Sequence, residues 1–263
     1  MNAPLRMRFD DKIVIVTGAA QGIGKGDGEA IAAEGGKVML VDRSPIVRDV
    51  AADILARGGA AWSCEVDLET FAGAQEMVRE TLKREERVDV LINNVGGTIW
   101  TKPYEHYREE EIEKEIRRSL FPTLWSCRAV LPSMVARKAG VIVNVSSIAT
   151  RSIYRVPYAA AKGGVNALTA SLAMEHAGDG IRVNATAPGG TEAPARRVPR
   201  NAEKQSPEEQ VWYRGIVDQT IASSLMHRYG TIAEQVAPIL FFASDESSFI
   251  TGSIMPVGGG DPG

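Results

Sequence analysis

Short runs of β-branched and aliphatic residues alternate along the chain with stretches of helical pattern. Seven runs read as strands: Lys12–Val16, Lys37–Val41, Ala61–Val66, Val88–Ile92, Gly140–Val145, Ile181–Ala185 and Ser253–Val257. Helical stretches begin near Gly22, Pro45, Thr70, Tyr104, Pro157 and Thr231. A strand followed repeatedly by a helix predicts βαβ units, right-handed crossovers and one doubly wound α/β domain with a parallel seven-stranded sheet covered by helices on both faces. No repeat or low-complexity tract divides the 263 residues, so a single domain over 1–263 is expected.

One region leaves the pattern. Between Gly189 and Tyr229 lies a polar stretch, Thr191 to Asn201, with two prolines, followed by helix-compatible sequence from Pro207 to Leu225. A long excursion in a compact domain is usually functional, and a lid over residues 190–228 is expected; an ordinary solvated loop is the alternative.

Bulk properties narrow the class. A net charge of −3 and a pI near 5.8 give no electrostatic footprint for nucleic acid or an anionic membrane. Apolar runs are strand-sized, far short of a membrane span, and the start lacks a signal pattern. Cys64 and Cys127 stand apart, as reduced thiols in a cytoplasmic protein do. His106, His176 and His227 lack metal-ligand spacing, so no metal site is expected.

The chemistry starts at the first strand, which runs into Thr17-Gly18-Ala-Ala-Gln21-Gly22-Ile23-Gly24 and then a helix. Glycines there let backbone approach a pyrophosphate, and the helix N-terminus offers free N–H groups. Asp42 ends the second strand, where a carboxylate accepts bonds from ribose hydroxyls and repels a 2′-phosphate; this favours NAD. Arg43 follows and could pair with that phosphate, and Asp42 could instead cap the helix at Pro45. Farther on, Tyr158-Ala-Ala-Ala-Lys162 places a phenol and an ammonium at i and i+4, on one helix face. A free phenol has a pKa near ~10, and a fixed cation favours its phenolate, which suits acid–base work on an alcohol. Taken alone, such a pair is as well explained by a solvent-facing helix.

Together these stretches resemble the short-chain dehydrogenase/reductase family, from Phe9 to Gly259 and in the family's order. The resemblance implies a Rossmann-type fold and a nicotinamide cofactor. It implies cofactor contacts at Gly18, Gln21, Gly22, Ile23, Gly24, Asp42, Asp67, Leu68, Asn94, Gly190 and Thr191, with Tyr158 and Lys162. Asn93-Asn94-Val95-Gly96 matches the motif that stabilises the central sheet, and Asn144-Val145-Ser146-Ser147 the strand of the catalytic serine, with Ser147 the better match. Ser147, Tyr158 and Lys162 are the implied catalytic residues. Ser119 stands where the family often has an asparagine, so a proton relay there would use its hydroxyl or a water.

Arg117 to Pro132 and Asn93 to Trp100 further resemble the benzoate cis-diol dehydrogenases within that family. The implied substrate is a small cyclic diol carboxylate, oxidised with NAD to catechol and carbon dioxide. Its carboxylate needs a cation, and Arg151, Arg155, Arg196, Arg197 and Arg200 are the candidates. Trp100, Ile153 and Tyr154 are candidates for an apolar ring pocket or for core. An NADPH-dependent ketone or oxoacyl reductase and an inactive regulatory protein are the rival readings. Family members usually pair two long helices, here Glu109–Val135 and Pro157–His176, so a homotetramer is expected, with a dimer as fallback.

Overall fold

The computed structural model describes residues 7–201 and 205–263; residues 1–6 of the expected domain and 202–204 of the expected lid lie outside them. In chain order the strands are Ile13–Thr17 (β1), Lys37–Asp42 (β2), Ala60–Glu65 (β3), Val90–Asn93 (β4), Gly140–Val145 (β5), Ile181–Pro188 (β6), Thr191–Glu192 (β7), Gly230–Thr231 (β8) and Ile254–Val257 (β9). Seven form one parallel sheet in the order β3-β2-β1-β4-β5-β6-β9, as the alternation predicts. β7 and β8 pair separately, Thr191 opposite Gly230.

β1 shows why the sheet is buried on both sides. Val14 and Val16 enter one apolar cluster with Ile31, Val47, Ile239 and Phe242, whereas Ile15 enters the other with Met77, Val130 and Met134. Successive side chains point to opposite faces, and an unbroken apolar strand needs a helical layer on each. The first layer comes from Gly22–Ala33 (α1), Ile46–Ala56 (α2) and Ile232–Ala243 (α7); the second comes from Phe71–Glu85 (α3), Glu109–Arg137 (α4) and Val156–His176 (α5). Pro207–Ser223 (α6) lies in the excursion.

Helix starts follow local chemistry. Thr70 caps α3 by accepting from Gly73 N at 3.1 Å, and Thr231 caps α7 by accepting from Glu234 N at 3.2 Å. The helix expected near Tyr104 is only a single 3-10 turn, Tyr104–His106. α4 begins at Glu109 because Glu111 accepts from Arg108 N at 3.0 Å and three acids occupy the first turn. β6 continues to Pro188 rather than stopping at Ala185, since Ala187 and Pro188 still pair with Pro256 and Val257.

A buried polar chain ties the centre of the sheet to its helices. Asn93 Nδ2 donates to Asn144 Oδ1 at 2.9 Å, and Asn144 Nδ2 donates to Thr169 Oγ1 at 2.9 Å. This joins β4, β5 and α5 and gives the Asn93 position its structural reason. Among the buried groups that lack such partners, Asp27 carries the largest potential charge: midway along α1, it is fully inaccessible and neither carboxylate oxygen is hydrogen-bonded. Burial pushes its pKa well above the usual carboxylate range.

Candidate active site

Strand order reverses between β1 and β4, and a crevice at the carboxyl ends follows from that topology. A cavity of about 680 Å³ occupies it.

At one end stands the glycine turn. Gly18 and Gly22 take φ of 66° and 64°, conformations that side-chain-bearing residues rarely adopt. A Cβ on Gly24 would lie 2.4 Å from the Gly18 carbonyl oxygen, so glycine there lets α1 start hard against the turn. Gly18, Gln21, Gly22 and Ile23 line the cavity, whereas Gly24 packs behind its wall. α1 carries no acid in its first turn and Gln21 makes no side-chain cap, so its first N–H groups remain for an anion. These features fit the pyrophosphate of a dinucleotide.

Asp42, Asp67, Leu68 and Asn94 also line the cavity. Asp42 accepts from Ala20 N at 3.2 Å and from Ser44 N at 2.9 Å, bracing the glycine turn; the α2 N-terminus has no side-chain cap. Asp67 accepts from Glu69 N at 3.0 Å, and Asn94 Nδ2 donates to Gly18 O at 3.3 Å. Arg43 lies 3.4 Å from Glu69, which also pairs with Arg118 at 2.7 Å.

The other end holds the phenol. Tyr158 and Lys162 sit one turn apart on α5, 8% and 3% exposed, both in the cavity wall. Lys162 Nζ donates to Val145 O at 2.7 Å and lies 5.9 Å from the Tyr158 ring centre. Burial lowers the lysine pKa, with Tyr158 opposing that shift. Ser147 lines the same wall, accepts from Ala149 N at 3.1 Å and donates to Pro188 O at 3.4 Å. Its neighbour Ser146 is engaged by Asn166 Oδ1 at 2.5 Å. Thus Ser147, Tyr158 and Lys162 come together from β5 and α5, able to exchange a proton with an alcohol or carbonyl oxygen.

Ser119 does not reach the cavity. It is buried on α4, and its Oγ accepts from Gly97 N at 3.3 Å. One turn earlier, Glu115 accepts from Ile99 N at 2.9 Å and Trp100 N at 3.4 Å, holding the β4–α4 loop. Desolvation raises Glu115 to about 7 against these bonds and the nearby Arg200 and Arg118. Pro122, inside α4, has no N–H for the Arg118 carbonyl and so loosens the helix beside Ser119.

Gly190 and Thr191 line the cavity where the excursion leaves the sheet. The excursion returns at Gly230, whose N–H donates to Gly190 O at 2.9 Å, and β7 pairs with β8, so both ends are fastened together. A Cβ on Gly190 would lie 2.4 Å from the Tyr229 ring, which requires glycine there. Arg155, Arg196 and Arg200 line the cavity; Arg151 is exposed and outside its walls, and neither Trp100, Ile153 nor Tyr154 lines it. Trp100 is buried behind the loop, Ile153 faces solvent, and Tyr154 packs on Trp212 at 6.4 Å. Tyr213, Ile216 and Thr220 of α6 close this side, a role visible in sequence only as the Ser206–Glu209 capping box that starts the helix. Among the described residues, no helix is long and apolar enough to cross a membrane.

Known proteins match this arrangement over nearly its whole length. The short chain dehydrogenase family pattern matches residues 12–204. The chain is 61% identical over 256 residues to the 1,6-dihydroxycyclohexa-2,4-diene-1-carboxylate dehydrogenase of Acinetobacter baylyi, covering 97% of this chain and 98% of that protein. It is 58% identical over 259 residues to the protein of the same name from Pseudomonas putida, covering 98% and 96%. The crystal structure of levodione reductase superposes with a TM-score of 0.86 at 29% identity, covering 96% of this chain and 98% of that one. With the glycine turn, the serine and the tyrosine–lysine pair at one crevice of a seven-stranded parallel sheet, the chain belongs to the short-chain dehydrogenase family, whose members are oxidoreductases that use nicotinamide cofactors.

Proposed function

We propose that the protein oxidises 1,6-dihydroxycyclohexa-2,4-diene-1-carboxylate with NAD, yielding catechol, carbon dioxide and NADH in aromatic-acid breakdown. The observation that carries this reading is the convergence of Ser147, Tyr158 and Lys162 on a cavity that arginines also line. The 61% and 58% identities to dehydrogenases of that name support the substrate.

Gly18, Gln21, Gly22 and Ile23 would hold the pyrophosphate, Asp42 the adenosine ribose, Asp67 and Leu68 the adenine, and Asn94, Gly190 and Thr191 the nicotinamide half. NAD is favoured because Asp42 stands at the ribose position and Arg43 is drawn toward Glu69. Bound NAD supplies a hydride acceptor.

Only the secondary alcohol carbon of the substrate carries a hydrogen to give up. Ser147 hydrogen-bonds its oxygen and Tyr158, as phenolate, takes the hydroxyl proton as the hydride leaves. Lys162 holds a positive charge beside that phenolate and would also hold the ribose of a bound nicotinamide. Its anchor on Val145 O fixes it to the sheet. The resulting β-keto acid loses carbon dioxide, its electrons flowing into the new carbonyl, and enolisation gives the aromatic catechol. Ser119 acts through the loop, holding Gly97.

We also propose a cytoplasmic homotetramer formed through α4 and α5, where Leu120, Phe121, Leu124 and Trp125 are only half-buried. Sedimentation as a monomer would count against it. The activity is tested by following NADH formation from the diol acid beside ketone reduction with NADPH. Turnover of the first is the expected result, and reduction of ketones alone would overturn the reading.

A further inference from the structure

Charge is unevenly distributed around the cavity. Its acids, Asp42, Asp67 and Glu69, cluster at the tips of β2 and β3, with Arg43 and Arg118 beside Glu69. Around Tyr158 the charged lining groups are all cations: Arg155, Lys162, Arg196 and Arg200. Among the described residues, none of these three arginines makes an ion pair with a carboxylate. Arg155 spends only its Nε, on Ser152 Oγ at 2.7 Å. Arg200 lies flat over Gly97, where a Cβ would come within 2.3 Å of its guanidinium carbon. Gly97, with φ of 131°, thus provides the gap through which a lid residue reaches the β4–α4 loop.

The mutual repulsion is felt. Desolvation against the cavity wall and then Arg200 pull Arg196 down to about 10, with Tyr158 opposing, although the residue as a whole stays exposed to solvent. Burial lowers Arg155, Tyr158 opposes it, and Arg200 adds to the lowering. Like charges gathered this closely favour an anion between them, and the Glu115 carboxylate near Arg200 is engaged by the Ile99 and Trp100 N–H groups rather than by any of the three arginines.

The lid cations are also held in place. Gln21 of the glycine turn accepts from Arg197 N at 3.0 Å and Val198 N at 3.3 Å, and donates to Val198 O at 3.0 Å. Three hydrogen bonds from one carboxamide therefore pin the backbone between Arg196 and Arg200 to the cofactor loop.

We propose that Arg155, on the fixed body, and Arg200, on the Gln21-pinned lid, together grip the substrate's carboxylate, with Arg196 closing the mouth. This rests on the function proposed above and names its specificity determinant. Two guanidiniums offer planar donor pairs to a carboxylate and orient the neighbouring secondary alcohol toward Tyr158. A diol lacking the acid leaves both cations unpaired, which makes the arrangement discriminating.

The test is titration of the full-length protein, with NAD present, using benzoate and its neutral isostere benzamide. Binding to these probes needs no turnover, so the outcome is independent of whether the diol acid is oxidised. Wild type is expected to prefer benzoate at least about tenfold; Arg155→Gln and Arg200→Gln should each abolish that preference while benzamide binding persists, which also reports an intact fold. Arg151→Gln, altering an exposed residue outside the cavity, should change nothing, and Arg155→Lys should restore part of the preference. Equal binding of the two probes by wild type, no benzoate binding at all, or a preference surviving in either glutamine variant overturns the proposal.

Discussion

Lys162 and Tyr158 stand one helical turn apart with the ammonium 5.9 Å from the ring centre, and the ammonium is held at 2.7 Å by a main-chain carbonyl of β5. That anchor fixes the position of the ammonium relative to β5 as well as to its own helix. Tyr158→Phe is therefore expected to lower kcat by about 10²–10⁴-fold while leaving cofactor binding intact, and Ser147→Ala by about 10²-fold. Single-turnover NADH formation with parallel cofactor titration checks both. A Tyr158→Phe enzyme with unchanged turnover would remove the phenol from the mechanism.

Asp42 braces the glycine turn through Ala20 N and faces the cavity beside Arg43. Asp42→Ser removes the negative charge and leaves the arginine. The ratio of kcat/KM for NAD to that for NADP should fall by at least about tenfold. Competition assays with the two cofactors read this directly, and an unchanged ratio would place cofactor choice elsewhere.

Two buried acids set the pH response of stability near neutrality. Asp27 and Glu115 both have folded-state pKa values raised by burial, Glu115 to about 7. A raised acid contributes stability fully below its unfolded pKa and loses it as pH rises through the folded value. The window therefore opens near pH 4 and extends to about 7 for Glu115. Asp89 and Glu111 are shifted down instead, so their contributions are lost only as pH falls below the ordinary carboxylate range.

Asp27→Val isolates the first of these. It replaces an unbonded buried carboxylate by an apolar group of similar size, a change worth about 1–3 kcal/mol or more in stability. The advantage should widen by about 1.4 kcal/mol per pH unit above pH 4 until Asp27 ionises in the folded state. Urea unfolding at pH 4.5 and 6.5 measures the gap, and a constant gap would show that Asp27 finds a partner.

The Gln21 clasp predicts a mechanical effect. Gln21→Leu loses all three hydrogen bonds to Arg197 and Val198. Trypsin cleavage after the lid arginines should accelerate and KM for the acid should rise. Unaltered cleavage would mean that other contacts seat the lid.

Much of this was legible in the sequence because covalent order and spatial order coincide. Strands such as Ile13–Thr17 are apolar on both faces and need no tertiary context to be recognised, and a tyrosine four residues from a lysine meets it on any helix. Glu115 was not legible in this way, and Arg200 stood among five candidate arginines with nothing in the sequence to single it out. Glu115 matters because the β4–α4 loop folds back onto it, and Arg200 because Gly97 lets it through, both encounters between distant segments. Arg151 and Arg155 read alike in sequence, yet the irregular backbone of the three residues between them turns one outward and the other into the cavity wall. Asp27 carries no motif, and only the packing of α1 reveals that it has no neighbour to bond.

The short ladder between Thr191 and Gly230 separates evolvability from foldedness. Because the two stems are stitched together beside the sheet, the chain's entropy of closing that circuit is met by the ladder rather than by the active centre. Length and composition inside the circuit can drift without disturbing the nucleotide-facing strands. A lineage could thus trade one acid-bearing ring for another by rewriting the flap alone.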